Sequence, residues 1–147
     1  MRKFNMKSLC NGYRIAISIV TLGILAGFPA MAHHSGVAYF DLEVEIIQHD
    51  ATVVEYVLVN PHGRLTYTFT DEAGVQQEWT GELASSNNLR RLGLGGEILK
   101  PGDKLKTVTG SPARSGTNFM RLSRVDFENG DVAQLVGPNA GITRSGE

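Results

Sequence analysis

Two apolar-rich runs meet at Asn60-Pro61-His62-Gly63, and this junction restricts the chain to folds in which one strand turns back on another. Val53-Val54-Glu55-Tyr56-Val57-Leu58-Val59 is dense in β-branched and aromatic residues. On the other side Leu65, Tyr67 and Phe69 alternate with Arg64, Thr66, Thr68 and Thr70, the period of a half-buried strand. Proline fixes φ and removes an amide donor, and glycine admits positive φ, so the tetrapeptide is expected to end one strand and begin the next. His62 is thereby placed at a rigid corner.

The N-terminus sets the length that has to fold. Met1 to Arg14 carries Arg2, Lys3, Lys7 and Arg14 with no acid, followed by the apolar run Ile15 to Phe28. That run is shorter than the ~20 residues of a membrane-spanning helix. Ala30-Met31-Ala32 supplies small residues at −3 and −1, the pattern of a signal peptide cleaved after Ala32. Cleavage after Ala30 would put bulky Phe28 at −3, and Cys10 lies too early for a lipobox. Residues 1–32 are therefore read as a signal peptide, and the mature chain from His33 as periplasmic or secreted, with no membrane span.

Losing four basic residues from the 14 leaves 10 against 15 acidic ones, a net charge of −5 with neutral histidines. The remaining cations are scattered from Arg64 to Arg144, which argues against nucleic acid as a partner. The mature chain has no cysteine, so its stability has to come from its core, a metal or a partner.

Residues 33–43 read as an N-terminal arm pinned by Tyr39 and Phe40. Val44 to Val59 reads as one long strand bent at Gln48-His49-Asp50, where the apolar pattern breaks. Asp71-Glu72-Ala73-Gly74 is a hairpin turn, and Val75, Gln77, Trp79, Gly81 and Leu83 continue on alternate positions. Ser85 or Ser86 caps a short helix from Asn87 to Leu92, stopped by Gly93. Pro101-Gly102-Asp103 turns the chain into a strand from Lys104 to Thr109. A polar loop from Ser111 to Asn118 follows, then a strand from Phe119 to Phe127 and a last hairpin onto Val132 to Val136. Residues 137–147 are expected to be a flexible tail. The predicted core comprises Val53, Leu65, Tyr67, Phe69, Trp79, Leu83, Leu89, Leu92, Leu105, Leu122 and Val125.

This order, three strands, a helix and further strands with a long bent first strand, predicts an all-β domain over residues 44–136. The expected form is a small Greek-key barrel of the oligonucleotide/oligosaccharide-binding (OB) type, with an open β-sandwich as the alternative closure.

His33-His34-Ser35, Phe40-Asp41, Asn60-Pro61-His62, Glu78-Trp79, Glu82-Leu83, Leu89-Arg90-Arg91-Leu92-Gly93, Leu99-Lys100-Pro101-Gly102-Asp103 and Gly110-Ser111-Pro112-Ala113 follow one another along nearly the whole mature chain. In this order they resemble an uncharacterised family of small exported bacterial proteins, a domain of unknown function. The resemblance implies export and a β-barrel-like domain, and it brings no activity. The chain departs from that pattern at Val57-Leu58-Val59, in place of a more polar, Trp-containing approach to Asn60.

The histidines carry the most chemistry. Once cleavage frees His33, its α-amine and imidazole can chelate one metal, and a third nitrogen from His34 or His62 completes a T-shaped set suited to copper. His62 is the expected distant ligand, because it sits on a fixed turn whereas His34 shares the arm. The bland alternative is a solvated His34 and a His62 bonded within its own turn. Glu78, Thr80 and Glu82 share one face of the third strand, a candidate ligand face whose carboxylates are more often simply solvated. The serines lack a Gly-x-Ser-x-Gly setting, and Gly93, Gly95 and Gly96 make no dinucleotide fingerprint. Trp79 is better placed as core than as a stacking platform.

These readings favour an exported binding or accessory module that holds copper through His33. The alternatives are an OB-like domain that binds a small molecule, glycan or protein without metal, and a copper-dependent oxidase. No catalytic set is legible.

Overall fold

The computed structural model describes residues 36–96 and 98–146. A 3-10 turn at Gly36–Ala38 precedes β1 (Ile46–Val57), β2 (Arg64–Thr70), β3 (Gln76–Glu82), α1 (Ser86–Arg91), β4 (Lys104–Pro112), β5 (Phe119–Phe127), β6 (Val132–Gln134) and β7 (Gly141–Thr143). The strands form one sheet in the order β3-β2-β1-β4-β5-β6-β7. A parallel pairing of Thr80–Glu82 with Phe119–Arg121 brings β3 onto β5 and closes the first five strands into a barrel. With α1 between β3 and β4, this is the small Greek-key barrel expected from the sequence, and the closure rules out the open sandwich.

The long first strand serves two neighbours because it bends. Its first half, Ile46 to Thr52, pairs with β4, and Thr52 to Val57 pairs with β2. Shortly before they meet at Thr52, Asp50 has φ of 53° within the predicted polar triplet, and just after it the register against β2 shifts between Val53 and Glu55. Bulges of this kind turn a strand and tighten its twist, which barrel closure requires. Gln48, at the start of the bend, is buried and accepts a hydrogen bond from the Tyr67 hydroxyl, so its polar amide is satisfied inside the barrel. Burial pushes the Tyr67 hydroxyl pKa up, keeping it a neutral donor.

Alternation along the strands fills the barrel. Val53, Leu65, Tyr67, Leu83, Leu89, Leu105, Leu122 and Val125 are buried as predicted, whereas Phe69, Trp79 and Leu92 are only partly so and pack on the edge of the core. Trp79 meets Phe69 edge-on, centroids 6.5 Å apart, as part of that packing. Leu94, Leu99, Val108, Met120 and Leu135 complete the interior. Gly81 is an inward position where a side chain has no room: a Cβ there would lie 2.5 Å from Leu122. Ser85 caps α1 through its hydroxyl, and Gly93 leaves it at φ of 81°.

Three expectations are corrected. Phe40, 3% exposed, pins the arm by packing on the Phe119 ring, whereas Tyr39 is 66% exposed. β4 runs on to Pro112, so the polar loop is shorter than Ser111–Asn118. The segment after Gly137, expected to be a tail, contributes β7, which pairs with β6. There Asp131 accepts from the Ser145 backbone N–H and from Arg144 Nη1 at 2.8 and 2.7 Å.

The Ser145 amide, then the Arg144 guanidinium, holds the Asp131 carboxyl below the usual carboxylate range. A carboxyl whose folded pKa is depressed stabilises the fold fully above its unfolded value, ~3.9, and loses that contribution as pH falls from there through the lower folded value. Amide exchange in the β6–β7 pairing should therefore be steady relative to the barrel above ~pH 4 and accelerate below it. Identical pH dependence in Asp131→Asn would show that another group controls the strap.

Candidate functional site

The β1–β2 connection is held from both sides, and this fixes His62. Asn60 Oδ1 accepts from the Ser86 hydroxyl at 3.0 Å, Ser86 N–H donates to Val59 O, and Gly63 exchanges backbone bonds with Ala84 and Leu83. The Asn60–Pro61 peptide is cis. Gly63 is buried where a Cβ would press on Leu89 and on Val57 O, both at 3.0 Å, so glycine is needed for this close approach. Pinned between these residues, His62 presents its ring to the barrel surface, with its side chain 52% exposed.

Antiparallel register sets Arg64 opposite Glu82, Thr66 opposite Thr80 and Thr68 opposite Glu78. Residues two apart on a strand share a face, so these six project together on the outside of the barrel, opposite Leu65, Tyr67 and Gly81. Glu82 reaches the corner: its Oε1 lies 3.6 Å from His62 Nδ1, an ion-pair distance too long for a hydrogen bond. The carboxylate side chain is 25% exposed, about half as open as its partner. On the other side the parallel register places Arg121 beside Glu82. A row Arg64-Glu82-Arg121 therefore crosses β2, β3 and β5, with His62 at one end of the face.

At the other end of the face the β4–β5 connection packs along β3. Asn118 Nδ2 donates to Glu78 O at 3.1 Å, and Thr80 N–H donates to Asn118 O. The N-terminal arm is bound to the same connection. Phe40 bridges Ala113, Asp41 N–H donates to Pro112 O, and Arg114 N–H donates to Tyr39 O. The first described residue, Gly36, lies against Arg121: a Cβ on it would sit 3.1 Å from Arg121 Nη1.

The structure thus brings together His62 and Glu82 of the residues singled out from the sequence, with Thr80 beside them and exposed Glu78 farther along the strand. His33 and His34 lie outside the described residues. Among the described residues no three histidine, cysteine, aspartate or glutamate side chains gather into one group. The cleft between Tyr56, Leu65, Leu94, Leu99 and Leu135 is apolar, and Tyr56 spends its hydroxyl on Leu94 O. Its free volume of ≈ 10 Å³ is about one water, against ~300–1,000 Å³ for ligand pockets. Sequence reasoning missed Arg64 and Arg121, whose positions beside Glu82 depend on cross-strand register and on the parallel closure.

The geometry defines a small all-β barrel whose candidate groups His62, Glu78, Thr80 and Glu82 lie on its outer β2–β3 face and in the β1–β2 connection that flanks it. The chain belongs to a family of unknown function (DUF6152), whose model matches residues 22–120, from before the arm to Met120 in β5. No curated protein and no solved structure matches it. No helix among the described residues is long and apolar enough to cross a membrane.

Proposed function

We propose that the protein is an exported accessory module that binds Cu(II) between the amine and imidazole of His33 and the imidazole of His62. The observation that supports this reading is His62 itself, half-exposed on a corner pinned from both sides, with Glu82 Oε1 3.6 Å from its Nδ1.

Amine and imidazole nitrogens are borderline-soft donors that favour copper among the divalent metals. Glu82, beside the His62 ring, adds the outer carboxylate that commonly orients a metal-binding histidine. Pinning of the corner means that His62 loses little conformational freedom on binding. His34 shares the arm with His33 and adds no such fixed partner. The oxidase alternative further requires oxygen-dependent turnover. The metal-free alternative would use the Thr66, Thr68, Glu78 and Thr80 face, between the same two connections.

Cu(II) titration of the mature chain, of a form with one extra residue before His33, and of His62→Ala tests the assignment. The extension moves the amine while keeping every imidazole. Both variants should bind at least roughly tenfold more weakly, because each turns a chelate into separate ligands. Equal affinities in all three would mean that the histidines bind only as exposed imidazoles do.

A further inference from the structure

We infer that the first half of β1 is an edge that pairs with the same edge of a second copy of this chain, antiparallel across a two-fold axis at Ile47. Among the described residues β1 has a strand on each side only at Thr52, where its pairings with β4 and β2 overlap. From Ile46 to Ala51 it is bonded to β4 alone, and its other edge faces no described strand.

The side chains show which backbone groups that edge offers. Along a strand, the face that a side chain takes and the edge that its own N–H and C=O take alternate together. Inward Val53 turns both groups to the β4 side, donating its N–H to Asp103 O and accepting from Gly102 N–H. Ile46 and Gln48 also point inward, so they too bond toward β4. Outward Ile47 and His49, and Glu45 just before the strand, therefore turn their N–H and C=O to the open edge. None of the three makes a backbone hydrogen bond on that side among the described residues.

This edge lacks the usual guards against pairing. Glu45-Ile46-Ile47-Gln48-His49 has no lysine and no proline, Ile47 is 55% exposed, and Leu42 and Val44 are exposed just upstream. β7, at the far end of the sheet, is by contrast only three residues long and starts at Gly141.

A second copy fits the edge by charge as well as by hydrogen bonds. In an antiparallel pair, edge-facing residues meet edge-facing residues, so the residue opposite Ile47 can change only in steps of two. With Ile47 opposite the partner's Ile47, each Glu45 lies opposite the partner's His49, a carboxylate acceptor against an imidazole donor on both sides of the axis. A step one way sets Ile47 against the partner's His49 and carries Glu45 to the partner's Ala51, past the kink at Asp50. A step the other way sets Ile47 against the partner's Glu45. The self-pairing register joins like to like at the axis and opposites on either side, as an isologous contact requires. Asp50, with φ of 53°, ends the ladder, so the interface is short and the dimer reversible.

Sedimentation equilibrium of the mature chain in chelator, where no metal can bridge two copies, tests this, with thermal unfolding as a check on folding. The parent should show a monomer–dimer equilibrium. Ile47→Lys sets two ammonium groups against each other at the axis and should leave only monomer, with an unfolding midpoint close to the parent's because the side chain points to solvent. His49→Glu sets carboxylates opposite each other twice and should weaken the dimer roughly tenfold, and adding Glu45→Lys to it should restore the parent's association. A parent that stays monomeric up to ~1 mM would overturn the inference. So would a dimer that survives Ile47→Lys, or a loss in His49→Glu that Glu45→Lys does not recover.

Discussion

Gly110→Ala is expected to be among the most damaging single-methyl changes available to this barrel. Gly110 sits where β4 is flanked by both neighbours, paired with Ile46 on β1 and Leu122 on β5, at a shift in register after Thr109. A Cβ there would lie 2.4 Å from the carbonyl oxygen of Arg121 and 3.1 Å from Met120 Sδ. The first of these contacts is with backbone, which cannot rotate away, so the methyl has to part β4 from β5. Overpacking normally costs ~1–3 kcal/mol, and a clash with a paired strand places this case at ~3 kcal/mol or more. That is a large part of the ~5–15 kcal/mol that holds a typical domain together. Gly74→Ala is the contrast. Gly74 is at φ of 79° in a turn with open space around it, so only the left-handed backbone penalty of ~1–2 kcal/mol applies. Denaturant unfolding of the two variants checks the ranking, and equal midpoints would mean that β4 and β5 are not packed as closely as described.

Leu65→Ala should be nearly as severe for the opposite reason. Leu65 is fully buried, borders the interior cleft and lies in β2, whose ladders to β1 and β3 prevent the backbone from collapsing into the space left. Large-to-small changes at such sites cost ~2–5 kcal/mol, rising with the cavity that remains. Val75→Ala, at a position 53% exposed, should change stability by no more than ~0.5 kcal/mol. Thermal unfolding of Leu65→Ala that matches the parent would show that the inward face of β2 is misassigned.

How much of this was legible follows from which interactions are local. The bend in β1 was readable at Gln48-His49-Asp50 because a polar triplet inside an apolar run breaks the strand's alternation, and a bulge absorbs such a break without ending the strand. The hairpin register of β2 and β3 follows from the Asp71–Gly74 turn, which put Glu78, Thr80 and Glu82 on one face. The contact of Glu82 with His62 needed more: it depends on the β1–β2 connection folding back over the end of β3, through Gly63, Ala84 and Ser86. Arg121 gives no sign in sequence of being the neighbour of Glu82, since the parallel β3–β5 closure joins segments about forty residues apart without a turn between them.

Composition misled at the C-terminus. Gly137, Pro138 and Gly141 read as a tail, yet Ile142 packs on the core and Arg144 reaches Asp131, enough to hold a three-residue strand. Tyr39 and Phe40 were equivalent as aromatic anchors until the bridge to Ala113 decided which of them faces inward.

The proposed copper site joins a chain starting at His33 to His62. It is tested most directly by a native mass spectrum of the exported protein after incubation with one equivalent of Cu(II) and removal of loosely held metal. The predicted species is the chain from His33 to Glu147 carrying a single copper, with the copper lost when His62 is replaced by alanine. A mass that retains Met1 or begins at Met31, or a chain beginning at His33 that emerges without copper, would contradict it.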